Sequence, residues 1–369
     1  MKIEAVEIYH IAMPLLRRFE TSKHVERERE CLLIHVEGKD QYGWGECVAQ
    51  RVPWYSYETI GTAWHMLEDF LVPAILSTEL GSASEFPVHV EGIKGHPMAK
   101  AGLELALWDL EGRIENKPLA DMLGGGRTAV EVGVSIGIQK DLESLLDVIR
   151  DHLAEGYGRI KLKIKPGSDL ELVQGVRAAH PELRLQVDAN AAYDVSDSET
   201  FEDMDSLALE LIEQPYAADE LLAHAALQAR LSTPLCLDES IDSASMARQA
   251  LDLSACRVIN IKPGRVGGLT QAVQIHDLCL ERDIPVWCGG MLETGIGRAS
   301  NLALASLPGF TLPGDISATD RYYEVDVAKP RFELNSDGTI DVPHGAGLGV
   351  EVDPAALERF TLRTERFAA

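Results

Sequence analysis

Five charged residues follow short apolar runs at a nearly constant interval in the middle of the sequence. In chain order these are Lys163, Asp188, Glu213, Asp238 and Lys262, which are separated by 25, 25, 25 and 24 residues. One strand, one helix and two short loops fill such an interval, so the spacing is typical of consecutive β/α units. Each unit then presents one charged side chain at the C-terminal end of its strand, where the catalytic residues of a (β/α)8 barrel lie.

The three carboxylates of this series suit a metal site. Neighbouring strand ends of a barrel are roughly 4.8 Å apart, so Asp188, Glu213 and Asp238 can converge on one point. Carboxylate and water oxygens are the ligands that Mg2+ prefers, with Mn2+ as the alternative, and no His or Cys stands at these positions to favour zinc. Each acid alone could be an ordinary loop or capping residue, but the common register of all three favours a metal site.

The two lysines of the series face this site from opposite sides. Lys163 and Lys262 fall on the second and sixth strands, which are four apart in a ring of eight. Lys161 points the same way as Lys163 and is expected, with the metal, to lower the pKa of Lys163 toward that of a base. Arg265 could act in the same way on Lys262. A single lysine could instead be solvated or ion-paired, but the paired placement favours two bases.

Such a site suits removal of the proton α to a carboxylate. A divalent cation stabilises the second negative charge of the enediolate while a lysine takes the proton. Return of a proton on the other face racemises the carbon, whereas expulsion of a β-leaving group gives elimination. The sequence therefore predicts an enzyme that acts on a small-molecule carboxylate.

The same period extends in both directions and predicts the elements that position these residues. Counting back reaches the run EVGVSIGI, which contains Ser135, and counting forward reaches Cys288 and then Asp315, which makes eight strands. Helices are expected at Asp141 to Glu155, Asp169 to His180, Ser196 to Ser206, Asp219 to Leu231, Ser243 to Leu251, Gly268 to Arg282 and Gly295 to Leu307. No helix is evident after Asp315, so the prediction is an α/β fold with a (β/α)7β TIM-type barrel.

The two ends of the chain read differently from the barrel. We expect an α+β capping domain over residues 1–126, the barrel over 127–320, and a C-terminal segment over 321–369 that returns to the cap. In the cap, strands are predicted at Met1 to Met13 and Glu30 to Glu37, and helices at Tyr57 to Leu76 and Met98 to Glu115.

A charged segment, Arg17 to Glu28, fits neither of the first two strands. It could be a solvated loop, as charge runs usually are. The functional alternative is a mobile lid over the barrel mouth, with Phe19 and the pair Trp54-Tyr55 supplying apolar walls.

Composition excludes several classes of function. The net charge of −25 argues against a nucleic-acid or anionic-membrane partner. Six scattered cysteines without a CxxC pair are typical of a reduced cytoplasmic protein. The first residues lack the apolar core of a signal peptide, and no apolar run reaches the ~18 residues of a membrane span. We also expect a homo-oligomer.

Several motifs together resemble one protein family. They are KLK at 161–163, VDAN at 187–190, EQP at 213–215, LDES at 237–240, NIKPGRVGG at 260–268 and GGMLETGIGR at 289–298. The chain resembles the muconate-lactonising subgroup of the enolase superfamily over essentially its whole length. It is most similar to the o-succinylbenzoate synthase / N-succinylamino acid racemase family, on Met13-Pro14, GWGE at 43–46, PGRVGG and GGMLE.

This resemblance implies a role for each candidate residue. Asp188, Glu213 and Asp238 become metal ligands, and Lys163 and Lys262 become the acid/base pair, assisted by Lys161. The resemblance further implies polar groups beside the metal at Asn190 and Glu239, and a substrate border at Ser135, Gly290, Met291 and Leu292.

The resemblance also implies two reactions that shared motifs do not separate. One is dehydration of a cyclohexadiene carboxylate to o-succinylbenzoate for menaquinone synthesis, and the other is racemisation of N-succinyl or other N-acyl amino acids. Dipeptide epimerases and muconate cycloisomerases share the same machinery. A non-catalytic structural or binding protein on this fold is disfavoured because all five charged positions are retained.

Overall fold

The first part of the chain forms an antiparallel sheet that the C-terminus completes. The computed structural model describes residues 1–369. Strands β1 (Ala5–Glu20), β2 (Val25–Gly38) and β3 (Gln41–Cys47) pair in order, and the C-terminal strand Thr361–Ala368 adds to the free edge of β1. The inner face of β1 is apolar and buried, with Val6 and Ile8 fully shielded from solvent. The expected return of the tail to the cap is therefore confirmed.

The segment predicted to fit neither strand is part of both. Strand β1 runs on to Glu20 and β2 begins at Val25, so residues 17–28 form the outer arm of a β-hairpin. Its tip is a tight turn in which the Thr21 N–H donates to the His24 carbonyl at 2.9 Å. Backbone pairing stabilises this arm although its side chains are mostly polar, which is why periodicity alone did not reveal it. The expectation of an irregular loop was wrong.

The helices of the cap pack against this sheet. One continuous helical segment with a π-helical middle consists of Ile60–Met66, Leu67–Leu71 and Val72–Leu76. It is followed by the helices Ala83–Glu85, Phe86–His89, Pro97–Glu115 and Leu119–Leu123. Helix Pro97–Glu115 lies directly on β3, where a Cβ on Gly45 would stand 2.1 Å from the Gly102 carbonyl oxygen. Gly45, the second glycine of GWGE and a residue within β3, is therefore required for this close approach.

Seven parallel strands form the barrel wall in sequence order. After β4 (Ala129–Glu131) come β5 (Val134–Ile136), β6 (Arg159–Lys163), β7 (Arg184–Asp188), β8 (Leu211–Glu213), β9 (Leu235–Leu237), β10 (Val258–Ile261) and β11 (Val286–Cys288). Lys163, Asp188 and Glu213 are the last residues of their strands, and Asp238 and Lys262 follow theirs directly. The predicted register of the five charged residues is confirmed.

The eighth strand position is occupied by an irregular segment. The expected strand around Asp315 makes isolated parallel bridges instead, from Phe310 to Val286 and from Gly314 to Val132. It closes the ring because the Asp315 N–H donates to the Cys288 carbonyl at 2.9 Å and the Gly133 N–H to the Gly314 carbonyl at 2.8 Å. Pro313 has no N–H to donate to a ladder, which interrupts regular pairing here.

The barrel helices lie within a few residues of their predicted bounds. They are Leu142–Glu155, Leu170–Ala179, Ser198–Met204, Leu221–Gln228, Ala244–Asp252, Leu269–Glu281 and Gly295–Ala305. Single-turn helices at Val195–Asp197 and Asp205–Leu207 flank Ser198–Met204 and overlap the two ends of the helix predicted from Ser196 to Ser206. The single-turn helices Pro263–Val266 and Thr319–Arg321 and the helix Pro354–Phe360 were not predicted. Short strands at Ala328–Lys329, Thr339–Asp341 and Glu351–Val352 complete the C-terminal segment. No helix is long and apolar enough to cross a bilayer. The domain limits at 126 and 320 stay a prediction.

Buried carboxylates of the cap hold the N-termini of two barrel helices. Glu46 accepts hydrogen bonds from the N–H groups of Thr294 and Gly297, at 3.1 and 3.0 Å, where helix Gly295–Ala305 begins. Glu104 accepts from the N–H of Thr270, at 3.3 Å, at the start of helix Leu269–Glu281. Burial raises the pKa of each of these carboxyls to about 7. Carboxylates of the cap thus accept hydrogen bonds from N–H groups that are otherwise unpaired at the start of a helix. These hydrogen bonds help to hold the cap on the barrel.

Candidate active site

A cavity of about 320 Å3 lies at the C-terminal ends of the barrel strands, below the hairpin arm. The cap contributes Phe19, Thr21, Lys23, His24, Glu26, Gln50, Trp54 and Tyr55 to its walls. The barrel side contributes Ser135, Lys161, Lys163, Asn190, Ala191, Ala217, Ala218, Glu239, Lys262, Gly290, Met291, Leu292, Asp315 and Tyr322. Both predicted bases therefore face one cavity, from strands that are four apart in the sheet.

On one side of the cavity, two lysines of β6 meet carboxylates from three other positions of the ring. Lys161 Nζ lies 2.7 Å from Glu213 Oε2, 3.2 Å from Asp188 Oδ2 and 2.6 Å from Asp315 Oδ2. Lys163 Nζ lies 2.5 Å from Asp188 Oδ2. Positions 161 and 163 point to the same face because side chains alternate along a strand. Asp188 and Glu213 are thus joined through a shared ammonium.

On the opposite side, Lys262 is paired with the third carboxylate. Its Nζ lies 2.7 Å from Asp238 Oδ2 and 3.1 Å from the hydroxyl of Tyr55, which itself donates to Asp238 Oδ1 at 2.8 Å. Arg265 also binds Asp238 Oδ1, from behind the cavity wall. A Cβ on Gly289 would stand 2.6 Å from Lys262 Cε, so this glycine leaves the room that the lysine occupies.

Burial and charge pairing set the protonation of these groups. Burial and the neighbouring Asp188 raise the pKa of Glu213 to about 8. Although burial opposes it, Lys163 and Lys161 hold the pKa of Asp188 well below its usual range. Burial acts to lower the pKa of Lys161, but Asp315, Glu213 and Asp188 together raise it well above its usual value. The charged form of Lys161 is therefore strongly favoured.

The expected effect of Arg265 on the pKa of Lys262 is outweighed by the effect of Asp238. Burial and Arg265 both act to lower the pKa of Lys262, but Asp238 raises it above the usual value. The net direction with these ion pairs in place is thus opposite to the prediction. The expected effect of Lys161 on Lys163 stays a prediction.

The donor set at the three strand ends fits a hard divalent cation. Asp188, Glu213 and Asp238 are at most 1% exposed and offer only oxygen atoms. As the side chains stand, they do not surround one common point, since each carboxylate is turned toward a lysine. The lysine contacts and the raised pKa of Glu213 show that this buried negative charge requires positive charge beside it.

The other predicted site residues divide into two groups. Ser135, Asn190, Glu239, Gly290, Met291, Leu292 and Phe19 all line the cavity, whereas Arg265 does not. Asn190 Nδ2 donates to Glu239 Oε1 at 3.1 Å, and the second oxygen of Glu239 is buried without a partner, as are Asn190 Oδ1 and Ser135 Oγ. Unpaired polar atoms of this kind mark places where a bound group can complete the hydrogen bonding.

Two polar partners of the lysine–carboxylate cluster were missed from the sequence. Asp315 binds Lys161 and also accepts from buried Arg159 at 2.7 Å. Asn260 Nδ2 donates to Glu213 Oε1 at 2.7 Å from β10. Both signals were present, since Asp315 falls on the repeat that marks the strand ends and Asn260 stands two residues before Lys262.

Comparison with protein families covers both parts of this architecture. A profile described as "Enolase C-terminal domain-like" matches residues 144–356, and one described as "Mandelate racemase / muconate lactonizing enzyme, N-terminal domain" matches residues 4–124. The chain belongs to the enolase superfamily. Sites of the enolase superfamily combine a Lys or His base with Mg2+.

Relatives within the enolase superfamily match the chain from end to end. An o-succinylbenzoate synthase of Geobacillus kaustophilus is 50% identical, covering 98% of this chain and 96% of the relative. An N-succinylamino acid racemase of Thermus thermophilus is 47% identical, covering 98% of each chain. The solved structure of an enolase-superfamily member from Listeria innocua has a TM-score of 0.96 at 39% identity, covering 100% of this chain and 99% of that one. The chain is an enzyme of this superfamily, and the expected barrel and cap are confirmed.

Proposed function

We propose that this enzyme removes the proton α to a carboxylate, as an o-succinylbenzoate synthase, an N-succinylamino acid racemase or both. The observation that carries the proposal is the placement of Lys163 and Lys262 on opposite sides of one cavity, each beside a buried carboxylate. The names of the full-length relatives support both activities.

In the racemase reaction, the two lysines exchange roles with the direction of the reaction. Neutral Lys163 takes the α proton from one face of the carbon, and Lys262 as an ammonium returns a proton to the other face. In the reverse direction Lys262 is the base and Lys163 the acid. Lys161 remains charged through its contacts with Asp315 and Glu213 and acts as a fixed positive group beside Lys163.

In the synthase reaction, one base is sufficient. Lys163 takes the α proton of the cyclohexadiene carboxylate, and hydroxide leaves from the adjacent carbon, so the ring becomes aromatic and one water is lost. Lys262 stays an ammonium and stabilises the negative charge that develops on the substrate carboxylate. This difference in the use of Lys262 separates the two activities experimentally.

We further propose that Asp188, Glu213 and Asp238 hold Mg2+, with Mn2+ as a substitute. When bound, the metal would supply the counter-charge that the lysines now provide and stabilise the second negative charge of the enediolate. Asn190 and Glu239 would position polar groups next to these ligands, and Ser135, Gly290, Met291, Leu292 and Phe19 would border the substrate. A homo-oligomer is also proposed, and light scattering after gel filtration tests it.

A paired assay tests the proposed function. The purified enzyme with Mg2+ is given the cyclohexadiene precursor in one arm and N-succinyl-L-amino acids in the other, and o-succinylbenzoate formation and loss of optical rotation are followed. We expect turnover in at least one arm. Lys262→Ala should abolish racemisation and spare part of any synthase activity, since only the first needs two acid/base groups. Absence of turnover in both arms, with no α-proton exchange in deuterated water, would refute the proposal.

A further inference from the structure

The tip of the hairpin arm places a lysine over the barrel mouth. Lys23 lies in the turn between β1 and β2 and lines the cavity. Its Nζ donates to the backbone carbonyl of Ala191 at 3.0 Å, and this is its only polar contact. An ammonium has three donors, so two remain free. Ala191 follows β7, which ends at Asp188, so the contact joins the arm to the predicted metal side of the mouth.

The neighbouring residue His24 is, in contrast, fully engaged. One ring nitrogen lies 3.3 Å from the Thr21 hydroxyl, and the other lies 3.2 Å from Glu26 Oε1. His24 therefore stabilises the turn, and its nitrogens are not free for a ligand. The backbone N–H groups of Lys23 and His24 also donate to Thr21, at 3.2 and 3.3 Å, which holds the tip in one conformation.

Lys23 differs from every other basic group of the cavity wall. Five Lys and His side chains line the cavity, and four of them contact a carboxylate. Those four are Lys161, Lys163, Lys262 and His24. Lys23 alone has none, in a chain whose net charge is −25. An unpaired cation beside a cavity that receives a carboxylate substrate suits a second negative group on that substrate.

We propose that Lys23 binds a second carboxylate of the substrate, so that the site selects dicarboxylates. This inference rests on the proposed function, in which the first carboxylate lies at the strand ends beside Lys163 and Lys262. The second carboxylate points out toward the arm. A succinyl group carries such a free carboxylate at the end of a short flexible chain, and the same feature occurs in both candidate substrates. Lys23 is a specificity residue and takes no part in proton transfer.

The test compares two substrates that differ only in the distal charge. N-succinyl-L-phenylalanine carries the second carboxylate, and its ω-amide has the same size without the charge. Racemisation of both is measured with the Mg2+-loaded wild-type enzyme and with Lys23→Met, which keeps the length of the side chain. We expect kcat/KM for the acid to fall about tenfold further than for the amide, mainly through KM, because one exposed charge-assisted contact is lost.

Two control variants separate charge recognition from a structural effect of the turn. Lys23→Arg keeps the charge and should keep the preference for the acid. Lys140→Met removes a lysine whose side chain is 77% exposed and which does not line the cavity, and it should leave both substrates unaffected. Equal losses on acid and amide in Lys23→Met would overturn the proposal, since Lys23 would then serve only to hold the arm on Ala191. No loss on either substrate would also overturn it.

Failure of the proposed function has a different signature. If wild-type enzyme turns over neither compound, the acid and the amide are titrated calorimetrically into the Mg2+-loaded protein. Tighter binding of the acid by wild type, reduced about tenfold in Lys23→Met, would support the inference without any turnover. Equal affinities of the wild type for acid and amide would overturn it.

Discussion

Replacing Glu104 by Gln removes a buried charge at the junction of cap and barrel. Glu104 is fully shielded from solvent on helix Pro97–Glu115, and its carboxylate accepts from the Thr270 N–H. That hydrogen bond holds the start of helix Leu269–Glu281, which follows the strand that ends beside Lys262. Gln keeps one oxygen for this hydrogen bond but does not ionise. The substitution therefore isolates the effect of the charge on the docking of the cap.

Burial raises the pKa of Glu104 from 4.5 to about 7, and the sign of the pH effect follows from this direction. Below pH 4.5 the carboxyl is protonated in the folded and the unfolded chain. Between the two values only the unfolded chain releases its proton, so rising pH favours unfolding by about 1.4 kcal/mol per pH unit, or about 3 kcal/mol in all. Above pH 7 the penalty is constant. Glu104→Gln has no carboxyl at this position, so its free energy of unfolding should not fall in this way as pH rises.

Urea unfolding followed by tryptophan fluorescence measures the effect. The stability of Glu104→Gln relative to wild type should increase by about 3 kcal/mol between about pH 4.5 and about pH 8. Glu115→Gln, on the same helix with a 41% exposed side chain, is the matched control and should show no such change. A difference between Glu104→Gln and wild type that is the same at both pH values would refute the reasoning.

The remaining predictions concern the active site. Lys163→Ala should abolish racemisation, while Lys262 still exchanges the α proton of one enantiomer in deuterated water. EDTA should abolish turnover, and Mg2+ or Mn2+ should restore it, because a divalent cation held by Asp188, Glu213 and Asp238 would stabilise the enediolate. Phe19→Ala should shift the preference among N-acyl amino acids and leave metal affinity unchanged, since Phe19 lines only the cap side of the cavity. Asp315→Asn should lower the free energy of unfolding by about 3 kcal/mol, because buried Lys161 and Arg159 then share one carboxylate fewer.

Each of these has a result that contradicts it. Racemisation retained by Lys163→Ala would exclude that lysine as a base, and activity after thorough metal removal would count against the metal site. An unchanged substrate profile for Phe19→Ala would show that Phe19 takes no part in substrate selection. Urea unfolding of Asp315→Asn that matches wild type would show that the ion pairs of Asp315 do not stabilise the barrel; Asp320→Asn, at an exposed position nearby, is the control.

The positions of the charged residues could be read from the sequence because a barrel repeats. Each β/α unit has nearly the same length, so charged residues at successive strand ends recur at a nearly fixed interval in the sequence. Lys163, Asp188 and Glu213, which this interval predicts to be in register, are paired in register in the sheet. The return of the tail to the cap was predictable for a similar reason, because the C-terminal segment has the residue pattern of β-strands and a strand needs a sheet with which to pair. Both features are local patterns of residues, so a single sequence is enough to reveal them.

Only the tertiary structure decided how the charges are paired. Whether Lys161 serves Lys163 or binds Asp315 and Glu213 depends on distances across the barrel, and the sequence separation of 154 residues between Lys161 and Asp315 has no local trace. The hairpin arm was hidden for another reason: its strands are held by backbone hydrogen bonds, which any polar sequence can make. The tertiary structure was also needed to show that Lys23 contacts no carboxylate, whereas every other Lys or His side chain of the cavity wall does.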